Sequence, residues 1–82
     1  MPTIPVLFGA VVRRHRERTG LSQEDFADKA GIHRTYVSSI ELGKVSISIA
    51  IAHQVAVALE VPLSRIWREV ERALDKEADD AT

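Results

Sequence analysis

The chain has 82 residues, 45% of them apolar and 28% charged, with a formal net charge of −1. This is the balance of one ordinary folded domain: too apolar for a disordered segment, and without an apolar run near the roughly 20 residues that a bilayer span needs. Cysteine is absent, which excludes disulfides, thiolate catalysis and cysteine-bound zinc.

The small net charge conceals an asymmetry. Residues 1–44 hold seven basic and five acidic residues, whereas the remainder holds four basic and seven acidic. A basic first half and an acidic second half predict one side that faces a polyanion and one that faces away. The apolar start, "MPTIPVLFGAVV", precedes the basic cluster "RRHRER", the reverse of the order in a secretory signal. A cytoplasmic location with no membrane partner is expected. His15, His33 and His53 lack the spacing of a metal site, so neither metal nor cofactor is expected.

From Val6 to about Thr19, Phe8, Val11, Val12 and His15 recur at helical spacing, and Gly20 is placed to end this first helix. Ser22 reads as the N-cap of a second helix, about Gln23 to Ala30, with Phe26, Ala27 and Ala30 inward and Gly31 at the left-handed end position. Only Gly31, Ile32 and His33 separate it from a third helix, in which Val37 and Ile40 point inward until Gly43 stops it. Two short helices joined through a glycine turn have the layout of a helix-turn-helix. Ser48 is placed to cap a fourth helix to about Leu59, and Pro62 to open a fifth to about Lys76. The segment "SISIAIA" alternates as a strand would, but the apolar stretch continues through Val55, Ala56 and Leu59 and has no partner strand. The fold class is therefore all-α. Residues 1–76 are expected to form the single domain and the charged tail 77–82 to fray.

The segment "GLSQEDFADKAGIHRTYVSSIELGK" resembles the helix-turn-helix of the phage-repressor-like, or xenobiotic-response-element, regulators. Their pattern runs Leu-Ser-Gln-Glu-x-hydrophobic-Ala, then Gly-hydrophobic, then Ser-x-hydrophobic-Glu-x-Gly. The resemblance covers about Phe8 to Trp67, and the wording "RTYVSSIE" is especially similar to the small controller proteins of restriction-modification systems. It implies a five-helix repressor-like DNA-binding domain, with helices 2 and 3 as the helix-turn-helix.

On that resemblance Arg34 and Thr35 occupy the positions that reach base edges, where arginine offers paired donors to guanine. Ser39, one turn on, is expected to read a base or a phosphate. Gln23 matches a glutamine that donates to phosphate at the positive end of helix 2 and braces the first recognition residue. Tyr36 reaches phosphate, stacks near a deformable step, or is partly buried. Lys44 is placed as a phosphate clamp; Arg14, with Arg13, is a further phosphate candidate, and Ser38 either adds a contact or packs near helix 2. Arg16 and Glu41 match a partly buried ion pair of structural purpose. His33 takes a cap position usually held by Ser, Asp or Thr, with a surface role or a phosphate contact. His15 replaces a common leucine and reads as a satisfied core histidine. Leu42 departs from the polar residue often present, which removes one phosphate contact.

Helix 4 carries more apolar surface than one face needs. Ile49, Ala52, Ala56 and Leu59 suffice for an inner stripe, which leaves Ile47, Ile51, Val55 and Ala58 toward a second side. With Leu63, Ile66, Trp67 and Val70 of helix 5, the excess predicts a symmetric homodimer; its expected interface is Ile47, Ile51, Leu63, Ile66, Trp67 and Val70, with Trp67 as well placed to cap the monomer core. No catalytic residue is expected, since Glu24, Asp25 and Asp28 are joined by no base, metal or nucleophile and instead suit the helix dipole. The expected function is a dimeric transcription regulator that binds double-stranded DNA at a pseudo-palindromic operator. The alternative is an antitoxin or another protein-interaction module, with a protein partner or the transcription machinery.

Overall fold

In the computed structural model, which describes residues 2–80, Thr3 caps α1 (Ile4–Thr19) by accepting from the Val6 amide. The helix starts two residues earlier than its apolar rhythm predicts. Pro5 falls in the first turn, where the missing N–H has no intrahelical partner to lose.

Ser22 opens α2 (Gln23–Ala30), its Oγ accepting from the Asp25 amide at 3.0 Å. Gly31 closes it at φ 72°, a conformation that strains any residue with a Cβ. Its amide donates to the Asp28 carbonyl at 3.3 Å and that of Ile32 to Ala27 at 3.1 Å, which satisfies two end carbonyls and turns the chain sharply into α3 (Arg34–Glu41). Ser48 then caps α4 (Ile49–Leu59), accepting from the Ile51 amide at 3.1 Å. The alternating "SISIAIA" is thus resolved as loop, cap and helix, and no strand occurs among the described residues. The Pro62 carbonyl accepts from the Arg65 and Ile66 amides at 3.0 and 3.4 Å and starts α5 (Leu63–Asp80), bent by 105° from α4.

The predicted end of the fifth helix at about Lys76 requires correction. α5 continues four residues past Lys76 to Asp80, because Glu77 and Ala78 are good helix formers and nothing interrupts the turn that precedes them. Ala81 and Thr82 lie outside the described residues. No single helix is long and apolar enough to cross a membrane.

The core is built on Phe26, Ile66, Val12, Val37, Val55 and Val70, all essentially inaccessible. α1 is the central element, packed on α3, α4 and α5. Its approach to α3 depends on Gly9, where a Cβ would stand 2.1 Å from the Ile40 carbonyl oxygen and 2.8 Å from that of Glu41.

Two apolar assignments are overturned. Ile49, expected in the inner stripe of α4, is 84% exposed, while Val55 and Ala58 are buried. The reason is that α4 packs on α1, α2 and α5 at once, so burial extends around the helix and leaves its first turn outside. Ile66 and Val70, expected at a dimer interface, are fully buried in the monomer, as their i, i+4 spacing forms the stripe by which α5 covers the core. Ile51 is partly buried against the same core. Of the expected interface residues, Ile47, Leu63 and Trp67 line an apolar groove of about 700 Å³, together with Ile4, Phe8, Val45 and Ile49. Trp67, 41% exposed, forms part of its wall.

Candidate nucleic-acid interface

His33 caps α3, with Nδ1 accepting from the Thr35 amide at 3.2 Å. Val37 and Ile40 anchor the helix in the core, and the spacing that sends them inward sends Arg34 and Thr35 to solvent. Ser38 and Ser39 are half-buried, one turn along. Tyr36 is half-buried and packs against the core. Beyond the helix the chain passes the 54% exposed Leu42 and turns at Gly43. The Lys44 amide donates to the Ser39 carbonyl at 3.0 Å. Arg34 with Thr35 and the exposed Lys44 therefore occupy opposite ends of an eight-residue helix, a span of roughly 12 Å.

The C-terminal end of α3 is locked. The Arg16 guanidinium grips Glu41 with two donors, Nε to Oε2 at 2.6 Å and Nη2 to Oε1 at 3.0 Å, and its Nη1 donates to the Leu21 carbonyl at 2.9 Å. The Glu41 hydrogen bond outweighs burial and raises the Arg16 pKa above its ordinary value, so the guanidinium stays charged. Gln23 adds Nε2 to Glu41 Oε1 at 3.1 Å. One buried carboxylate thus ties α1, the start of α2 and the end of α3 together.

Gln23 is consequently held at the Glu41 end of α3, and no hydrogen bond joins it to Arg34. In the free chain Gln23 thus braces the Glu41 carboxylate, a charged and therefore strong acceptor. The second hydrogen of its amide meets no acceptor among the described residues.

Arg14 is turned elsewhere. It lies about 200° around α1 from Arg16, and its Nη2 meets Glu69 of α5 at 3.4 Å. The structure therefore places this candidate on the α5 side of α1, apart from α3. The same Glu69 receives His15, 6% exposed, at 2.6 Å between Nε2 and Oε2, so the core histidine is satisfied by a partner that sequence reading missed. A signal was present: Glu69 sits between Ile66 and Val70 on the inner stripe of α5, where a carboxylate calls for a buried donor.

Burial pushes the Glu69 carboxyl up, but the hydrogen bond and charge of His15 and the charge and weaker hydrogen bond of Arg14 together pull harder, leaving it below the ordinary 4.5. A carboxyl lowered on folding stabilises the fold fully above its unfolded pKa and loses that contribution as pH falls through the folded value. Urea unfolding should accordingly show the largest gap between wild type and Glu69→Gln above pH 4.5, closing as the pH is lowered further. A gap that widens with acid would contradict this pairing.

A helix-turn-helix family model matches residues 12–66. The chain is 37% identical to the control protein C.MunI of Mycoplasma sp. over 73 residues, 88% of this chain and 99% of that one. Among solved structures, the restriction-modification controller protein C.AhdI from Aeromonas hydrophila superposes with a TM-score of 0.72 at 35% identity, covering 80% of this chain and 94% of that one. The clp gene regulator ClgR from Corynebacterium glutamicum shares the fold, with a TM-score of 0.89 at 21% identity over 98% of this chain and 85% of that one. The chain belongs to the phage-repressor-like helix-turn-helix family, a family of transcription regulators and not of enzymes, and is related to the controller proteins of restriction-modification systems.

Proposed function

We propose that this protein is a transcription regulator that binds double-stranded DNA sequence-specifically, as a homodimer on a pseudo-palindromic operator, and controls its own gene or a neighbouring operon from the cytoplasm. The observation that carries the reading is the contrast between the two ends of α3. Arg34 and Thr35 stand exposed at its start, while Arg16, Gln23 and Glu41 fix its other end in place. A rigidly held helix with a protruding arginine is what base readout in the major groove requires. Thr35 and Ser39 extend the reading face; Lys44, Tyr36, Ser38 and the free Gln23 amide hydrogen hold backbone phosphates.

Selection of binding sites from random DNA is the deciding experiment, and enrichment of a two-fold-related sequence is the expected result. On the selected duplex Arg34→Ala should lose about 1–3 kcal/mol of discrimination at one position per half-site. Lys44→Ala should weaken all duplexes alike and reduce the salt slope by about one phosphate. Equal binding of wild type to selected and random duplexes would refute the function.

The apolar groove supports the dimer. Two-fold pairing places two recognition helices about 34 Å apart, and an isologous contact needs one patch that carries both a projection and a recess. Ile49, the projecting side chain, adjoins the groove lined by Ile47, Leu63 and Trp67. Ile49→Asp, at a site too exposed to disturb the monomer, should shift sedimentation from dimer to monomer at micromolar concentration and lower operator affinity. The same groove favours one second reading, an antitoxin or interaction module seated on a different protein. Retention of such a partner by Arg34→Ala, together with a monomeric free chain, would select it.

A further inference from the structure

His33 carries a hydrogen-bond donor that the fold leaves unused. Its Nδ1 accepts from the Thr35 amide, and a nitrogen that accepts bears no hydrogen, so the ring holds its hydrogen on Nε2. No acceptor among the described residues meets that Nε2–H, and the side chain is exposed. The ring is also fixed in direction. Its backbone is extended at φ −74° and ψ 143°, and the capping bond pins Nδ1 over the first turn of α3. The free N–H therefore projects from the end of the helix, beside Arg34 and Thr35.

We propose that His33 is a specificity-determining residue whose Nε2–H donates to a purine acceptor, N7 or guanine O6, at a base pair adjoining the one that Arg34 reads. The inference rests on the DNA-binding reading above and deepens it. A base edge fits better than a phosphate for two reasons. The N-terminal end of a repressor-type recognition helix is the part that enters the major groove, and the ring lies across that end. In addition, the capping bond fixes the direction of a single outward donor, which suits the directional acceptors of a base edge better than a phosphate.

His33→Ser separates the two roles of the ring, since serine is a favoured N-cap but lacks the outer donor. The variant should melt with the wild type, whereas His33→Ala, which loses both, should melt lower. In selection from random DNA, His33→Ser should lose the purine preference at one position of each half-site. Its affinity for the duplex selected by the wild type should fall about tenfold, with an unchanged salt slope. Nitrogen-15 shifts of the free protein should show Nδ1 unprotonated and Nε2 protonated. An unaltered selected site and affinity, a uniform weakening with a shallower salt slope, or the opposite tautomer would each overturn the proposal while leaving the DNA-binding function standing. Failure of the wild type to select any sequence would overturn both.

Discussion

Arg16→Met should destabilise the protein by about 3–5 kcal/mol, the usual consequence of leaving a buried charge without its partner. Glu41 is 7% exposed and takes three hydrogen bonds, two from Arg16 and one from Gln23. With methionine at position 16 the stem is replaced and the apolar packing largely kept, so the loss reports the charge and not a cavity. A domain of this size has roughly 5–15 kcal/mol in hand, and the variant should therefore unfold at much lower urea. Arg16→Met combined with Glu41→Leu should recover most of the loss, because an apolar pair carries no desolvation penalty. The double variant should still bind DNA more weakly than wild type, since Gln23 loses the acceptor that positions it. A single variant as stable as wild type would show that the pair does not fix α3.

Gly9→Ala should also destabilise strongly, by about 3 kcal/mol, near the upper end of the range for overpacking. The sign is the informative part. At an exposed helical site the same change stabilises by about 1 kcal/mol, because alanine is the better helix former. Here the added carbon would stand 2.1 Å from the Ile40 carbonyl oxygen, and backbone cannot swing aside as a side chain would. Relief requires α1 and α3 to part, which stretches the Arg16–Glu41 bridge at the same crossing. Loss of stability should thus be accompanied by loss of operator affinity. Circular dichroism melts and duplex titration of one preparation test both, and a stabilised Gly9→Ala would refute the close approach.

These two positions differ in how far they could be read beforehand. The pairing of Arg16 with Glu41 was implied by a resemblance of the helix-turn-helix segment to a known family, and the structure supplies its geometry. Gly9 gave no sign, because a glycine inside a helical pattern looks like a mere weakness until the helix crossing is known. His15 lies between: an apolar stripe bearing one histidine called for a partner, but that partner, Glu69, stands 54 residues away. The apolar excess of α4 and α5 was visible as well, though Ile49 and Val55 exchanged places between outside and inside, and Ile66 and Val70 proved to be monomer core.

The sequence alone determined the five helices, the turn at Gly31 and the outward position of Arg34 and Thr35, because caps and helical spacing act within a few residues and need no distant neighbour. Even there, the ends of α1 and α5 moved by a few residues, where caps are weak or the helix simply continues. Tertiary structure decided which apolar side chains form the core and which form the groove, and which charges find partners. Burial is a property of the surface opposite, and for α4 that surface is assembled from α1, α2 and α5 together. No local pattern in "ISIAIAHQVAVAL" records where those helices will lie.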